Sequence, residues 1–319
     1  MHLSSKPLAA ERMVGLDIGS QSVSASLIGF GMHKAITLEA AGNLPINISD
    51  NDASISKAIR KLWKQSGFAS YTVCACLQST SVIFKHFSKP DLTKTELKDS
   101  LQLDAEEVMQ VPPDKMAIDI HLLSNSDENP APKADSCEGF YVAALKSDVD
   151  RLLQILDQAG LFPAIIDVSC MAAANAFLRL NPLITEKPVC FACINSQHAD
   201  IVILQNNECK YSRSVTAHGS DSTKTSDYMA EVIIEVIKQS HLVVGNDPIS
   251  KIYLSGITSE TGEIEKIYKI RTGLPVELWN PLDHIPISHH LEHIWRGKDK
   301  VETGMHLVRS LGLALRREG

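Results

Sequence analysis

No apolar run in the chain approaches the ~18 to 20 residues that cross a bilayer. The opening segment 1–13 (MHLSSKPLAAERM) has no apolar stretch of the kind that marks a secretion signal. Both absences lead to the expectation of a cytoplasmic protein. Positive charge is not in excess either: 31 Lys and Arg against 38 Asp and Glu leave a formal charge of −7, which argues against a surface that works by neutralising nucleic-acid phosphates. Seven cysteines, an odd number scattered through 319 residues, do not make the disulfide framework of a small secreted domain, so reduced thiols are expected. What is present is a globular composition, 44% hydrophobic and 22% charged, which can bury a core and at this length favours two domains.

The metal-ligating residue types occur without metal spacing. Cys190 and Cys193 share the strand-like run Val189-Cys190-Phe191-Ala192-Cys193-Ile194, where positions i and i+3 face opposite sides. Cys74 and Cys76 alternate with Val73 and Ala75 and read as packing residues. His284, His289, His290 and His293 cluster in LDHIPISHHLEHIW, but no glutamate follows the first histidine as HExxH requires, and Pro286 interrupts the run. They read as solvated or interface histidines.

The pattern along the chain is α/β. Segments 14–17 and 23–28 are short strands around Ile18-Gly19-Ser20-Gln21-Ser22, a hairpin. Ile55, Ile59, Leu62 and Trp63 outline an amphipathic helix that Gly67 ends. A strand at 72–77 and a polar-apolar stretch at 82–87 follow, and TKTE at Thr93 predicts a capping box and a helix to Met109. Strands are expected at 117–123 and 140–145, with the polar, proline-containing stretch 124–137 between them as a mobile loop. Ser147 is expected to cap a helix ending at Gly160, and a strand at 163–168 and a helix at 171–180 come next. Strands at 189–194 and 200–205 then echo the opening hairpin, which suggests two related lobes. The stretch 214–226, rich in Ser and Thr, reads as a loop before a long helix carrying Met229, Val232, Ile233 and Val236. A last helix is expected at 301–317, with Arg316 and Arg317 near its negative end.

The turn Asp17-Ile18-Gly19-Ser20-Gln21-Ser22 has a chemical use as well as a structural one. Glycine lets backbone approach a phosphate, turn amides and serine hydroxyls donate to its oxygens, and an aspartate can hold hydrated magnesium. The same residue types also occur in hairpins for turn chemistry alone.

In VGLDIGSQSVSASLI, VCACLQSTSVIFKHFSKPDL, TELKDSLQLDAEEVMQVPPDKMAIDIHLL, DRLLQILDQAGLFPAIIDV and the closing SLGLALRR, the chain resembles the PilM proteins of type IV pilus assembly and, more distantly, FtsA. The resemblance implies an α/β, actin-like two-lobe fold with ribonuclease-H-like halves, an inserted αβ subdomain of the 1C type and a trimmed second lobe. The implied division is a first lobe at 1–78, the insertion at 79–162, a connecting helix at 163–187, the second lobe at 188–300 and a final helix at 301–319. The capping-box helix and the DRLLQILDQAG helix would both belong to the insertion.

On function, the resemblance implies an adaptor that captures the N-terminal tail of a PilN-like inner-membrane protein, beside other platform proteins, in a groove near Val82, Ile83 and Phe84. The protein would sit in the cytoplasm at the inner membrane through that partner. The nucleotide-site positions it implies are Asp17, Gly19, Ser20, Gln21, Ser22, Asn195, Ser196 and Gly256. The family's second D-I-G turn is Cys193-Ile194-Asn195 here, and its paired glycine is Ser255-Gly256-Ile257. No cofactor is therefore expected, or Mg-ATP only weakly bound, and Asp17 is expected to act as a turn residue. The alternative reading is an ATP-binding or ATP-hydrolysing member of the actin and sugar-kinase superfamily.

Overall fold

The structure is a computed structural model that describes residues 13–30, 35–47, 51–78, 81–122, 136–181, 186–195, 198–216, 222–245, 247–256, 261–296 and 299–316. In chain order the elements are β1 (Val14–Ile18), β2 (Ser22–Phe30), β3 (Ile36–Pro45), α1 (Asp52–Ser66), β4 (Thr72–Leu77), β5 (Val82–Pro90), α2 (Lys94–Met109), β6 (Met116–Leu122), β7 (Ser136–Leu145), α3 (Lys146–Ala159), β8 (Phe162–Val168), α4 (Ser169–Leu180), β9 (Val189–Ile194), β10 (His198–Gln205), β11 (Glu208–Thr216), α5 (Ser222–Val244), β12 (Lys251–Ser255), α6 (Thr261–Thr272), β13 (Val276–Leu278), α7 (His289–Ile294) and α8 (Lys300–Ala314).

The two hairpins seed two sheets of the same design. The first has the order β3-β2-β1-β4-β8 and the second β11-β10-β9-β12-β13. In each, the first three strands are antiparallel and the last two run parallel to the central strand. Each sheet is thus a ribonuclease-H-like half, and together they make the actin-type two-lobe architecture that the sequence predicts. A third, antiparallel sheet of order β5-β7-β6 enters the first half between β4 and β8. Helix α2 covers one face of it through Leu97, Leu101 and Ala105, which pack with Phe87 and Tyr141. Its start has the predicted capping box, with Glu96 N donating to Thr93 Oγ1 and Thr93 N donating to Glu96 Oε2.

Helices α4 and α8 fill the space between the two large sheets. Ala172, Ala173, Ala174, Ala176 and Phe177 of α4 are wholly buried, and 304–314 of α8 are buried apart from His306, which is half-buried. Small residues allow this closeness: a Cβ on Gly312 would lie 1.7 Å from the carbonyl O of Ala172, and one on Gly15 would lie 1.9 Å from that of Ser310. Backbone therefore meets backbone at both crossings.

Four local expectations are corrected. Helix α3 begins at Lys146 after Leu145, with no side-chain cap, so Ser147 is inside it. Its Leu152, Ile155 and Leu156 share a core with Ile55, Ile59 and Leu62 of α1 and with Ala144 of β7, so it packs on the first lobe as well as on the inserted strands. Strand β7 starts at Ser136, four residues early, because Ser136 and Cys137 pair with Pro90 and Lys89; the rest of the stretch expected to be a loop, 124–135, lies outside the described residues. The stretch 214–226 is strand to Thr216 and helix from Ser222; its serines hide the strand because Ser214 is held by a hydrogen bond and not by apolar packing. At the chain's end, Arg316 pairs with Asp167 of β8, while Arg317 lies outside the described residues.

The α4–α8 crossing gives a direct test. Gly312→Val should destabilise the protein at or beyond the upper end of the roughly 1 to 3 kcal/mol that overpacking costs, measured by urea unfolding. An unchanged midpoint would mean that the two helices do not touch there.

Candidate functional site

The first hairpin is a closed, internally bonded turn. Gly19 N donates to Ser22 O at 2.9 Å, and Ile46 N donates to Gln21 O at 2.8 Å, tying the turn to the end of β3. Asp17 is not a free turn residue, as the sequence reading had it. It is 6% exposed, and its Oδ1 accepts from Gln78 Nε2 at 3.1 Å and from Cys76 Sγ at 3.6 Å. The same Gln78 amide donates to Ile18 O at 2.8 Å.

The second hairpin moves its carboxylate across a strand. In the first, Asp17 of β1 faces Ser24 of β2; in the second, Cys193 of β9 faces Asp200 of β10. Cysteine thus stands at the position equivalent to Asp17, and an aspartate stands opposite it on the same face. Asn195 closes the turn, with its N donating to His198 O at 2.8 Å and its Oδ1 accepting from His198 N at 2.7 Å. Ser196 lies outside the described residues. Gly256 has φ +82, and a Cβ there would sit 2.4 Å from Ile194 O, so its glycine serves the end of β9. Ile257 is also outside the described residues.

Between the hairpins lies a group that the sequence reading missed. Arg309 of α8 donates through Nε to Asp200 Oδ2 at 2.9 Å, and its Nη2 lies 2.8 Å from the same oxygen but off the hydrogen-bonding line. Its Nη1 is 4.0 Å from Asp17 Oδ2. Asp200, with no exposed surface, also accepts from Ser214 Oγ at 2.6 Å and meets His198 Nε2 at 3.0 Å. Burial alone would raise the Asp200 pKa, but Arg309, His198 and Ser214 together hold it well below the usual carboxylate range. Burial opposes the charge of Arg309 too, and the neighbouring Asp200 and Asp17 carboxylates keep its pKa well above the ordinary arginine value. A signal was present in the sequence: Arg309 interrupts the apolar face made by Met305, Val308 and Leu311, and a charge there needs a buried partner.

This donor set does not suit magnesium and a nucleotide phosphate. Asp17 already serves Gln78 and faces a guanidinium, Asp200 has three partners of its own, and a cysteine stands where a second carboxylate would be needed. Burial pushes the Cys193 thiol up to about 11, so it offers no thiolate.

Beside the first hairpin is a cavity of about 270 Å³. Ile18, Gly19 and Ser20 of the turn form one wall, Leu152 and Ile155 of α3 the opposite wall, and Ser81 the root of the inserted sheet. Asp148 and Arg151 are at its rim, where Arg151 Nη2 is 2.7 Å from Asp52 Oδ1. Val82, Ile83 and Phe84 are half-buried just beyond Ser81 and are taken up in packing: Val82 and Phe84 against the interlobe core, Ile83 against α2. Phe84 lies 5.1 Å from Phe140, ring to ring.

The histidines expected to be solvated or at an interface, His284, His289, His290 and His293, are exposed: His284 stacks on Trp279 at 5.7 Å, and His289 stands beside Glu292. Among the described residues no group of three or more His, Cys, Asp or Glu is placed to hold a metal, and no helix is long and apolar enough to cross a membrane.

The model of one protein family, described as type IV pilus assembly protein PilM, matches residues 15–232. The chain belongs to the PilM family. Among solved structures, it is similar to a PilM–PilN type IV pilus biogenesis complex at 18% identity and TM-score 0.76, with 96% of this chain and 98% of that chain covered. An actin-like ATPase-fold protein of unknown function from Bacteroides thetaiotaomicron is also similar, at 12% identity and TM-score 0.53, over 85% of this chain and 91% of that one. The ethanolamine utilization protein EutJ from Carboxydothermus hydrogenoformans is similar at 11% identity and TM-score 0.52, over 97% and 91%. These likenesses share the actin-like fold. No curated protein matches this chain.

In this PilM-family chain the buried charge cluster should show in acid. The Asp200 pKa is lowered on folding, so its stabilisation is fully present above the unfolded carboxylate value of about 3.9 and is lost as the pH falls below it. Asp200→Asn should cost about 3 to 5 kcal/mol at pH 7, because it leaves Arg309 buried without its main partner. The deficit against the parent protein should shrink below about pH 4. Unfolding curves from pH 3 to 7 check this, and a deficit that does not vary with pH would contradict it.

Proposed function

We propose that this protein is a cytoplasmic adaptor of a type IV pilus or related secretion platform. It holds the N-terminal tail of a PilN-like inner-membrane protein in the cavity beside the first hairpin and reaches the membrane through that partner. The observation that carries the reading is the cavity itself, set between the first sheet, α3 and the root of the inserted sheet, where Ile18, Ile46, Leu77, Leu152 and Ile155 offer apolar surface, Asn47 and Gln78 offer polar groups, and Asp148 and Arg151 stand at the rim. An extended tail can bury a few apolar side chains there, add backbone hydrogen bonds at the turn and meet charge at the rim. Family membership and the likeness to a PilM–PilN complex support the choice of partner.

A nucleotide has at most a weak part in this reading. Losing one charge-assisted phosphate contact costs on the order of 1.5 to 3 kcal/mol, and each 1.4 kcal/mol is about tenfold in affinity. The filled second hairpin forfeits more than one such contact. A second reading, an ATP-binding or ATP-hydrolysing member of the superfamily, draws on the first hairpin, where Gly19, Ser20 and Ser22 keep a turn suited to phosphate.

One titration separates them. A synthetic tail of a PilN-like protein should bind the purified chain at micromolar concentration, with an affinity that millimolar Mg-ATP leaves unchanged. Ser20→Trp, which puts an indole into the cavity wall, should weaken binding at least about tenfold and leave the melting temperature nearly unaltered. No binding at high micromolar tail would sink the adaptor reading. Tight ATP binding with turnover would favour the second.

A further inference from the structure

Arg309 belongs to α8, which rests on the first sheet. The near contact of Gly15 with Ser310 sets that footing, and Ser310 Oγ is 2.7 Å from Ser26 Oγ on β2. From there the guanidinium reaches Asp200 on the second sheet while standing 4.0 Å from Asp17 on the first. Two opposed carboxylates in a buried space repel each other unless a cation lies between them. We propose that Arg309 is a built-in cation that fixes the two hairpins against each other and thereby holds the wall of the tail-binding cavity in place without a bound metal or nucleotide.

The link to the cavity is short. Asp17, held from one side by Arg309, accepts from Gln78 on the other, and Gln78 also donates to the carbonyl of Ile18. Ile18 and Gln78 both line the cavity. A shift of Asp17 therefore moves the wall that a tail would touch. The part of the inference that concerns the cavity rests on the adaptor reading; the part that concerns the two lobes does not.

The test compares full-length Arg309→Met, Asp200→Asn, the double variant and Arg309→Lys by thermal unfolding. Each of the first two should melt about 5 °C or more below the parent protein. The double variant should melt above Arg309→Met, because removing both charges leaves no carboxylate at Asp200 without its cation. Arg309→Lys, which keeps the charge but loses the fork, should lie between the parent and Arg309→Met. Losses that simply add in the double variant would make Arg309 a space-filling residue and overturn the proposal. If Arg309→Met does not fold, recovery of folded protein in the double variant supports the bridge, and failure of both overturns it.

Two further outcomes also decide. Arg309→Lys should weaken tail binding severalfold, and unchanged tail affinity would overturn the link to the cavity. If the parent protein itself binds no tail, the adaptor reading fails while the melting comparison still judges the bridge. A melting-temperature rise with ATP in the parent protein that Arg309→Lys abolishes would make Arg309 a phosphate ligand and overturn its role as a resident cation.

Discussion

A full positive charge buried at Arg309 is tolerable only because Asp200 meets it at 2.9 Å and Asp17 stands 4.0 Å away. Each partner comes from a different part of the chain: α8, the second sheet and the first sheet. Apolar packing between α4 and α8 would accept many small shifts, because dispersion contacts are individually weak and have no strict direction. A charged hydrogen bond in a dry interior accepts few. The relative setting of the two lobes thus depends on this cluster more than on any single apolar contact. The close backbone crossings at Gly15 and Gly312 bring α8 near enough to deliver the guanidinium.

The same cluster changes what the hairpins can do. In the first, Asp17 and Gly19 keep the residue types of a phosphate turn, yet the carboxylate faces inward to Gln78, Cys76 and Arg309. In the second, the carboxylate sits one strand over and is saturated. Residues that read as a ligand site along the chain act in three dimensions as a joint between lobes. The first turn also borders the cavity beside α3, so that one short segment carries both the joint and the candidate docking wall.

Much of the architecture was legible in the chain because its signals are local. The αL glycines at Gly67 and Gly160 end helices where the apolar period stops, and Thr93 with Glu96 marks a helix start unambiguously. The repeated strand-turn-strand pattern announced two similar halves. What was not legible depends on long-range partners. Ser214 reads as loop because its strand is held by a hydrogen bond to Asp200. Chain order places helix α3 with the inserted strands and does not reveal that Ile155 also shares a core with Ile59 of the first lobe. Asp200 and Arg309, 109 residues apart, carry no shared local motif. The cavity walls at Leu152 and Ile155 look in sequence like any amphipathic helix face, and Val82, Ile83 and Phe84 follow directly on Ser81, which lines the cavity.

Amide hydrogen exchange on the full-length protein, with and without a saturating PilN-like tail, tests the docking wall most directly. The account predicts slowed exchange in 18–20, 46–47, 76–78, at Ser81 and in 148–155, the segments around the cavity, and no change at 193–195 and 198–200 in the second hairpin. Protection confined to the second hairpin, or none at the first turn under saturation, would contradict it.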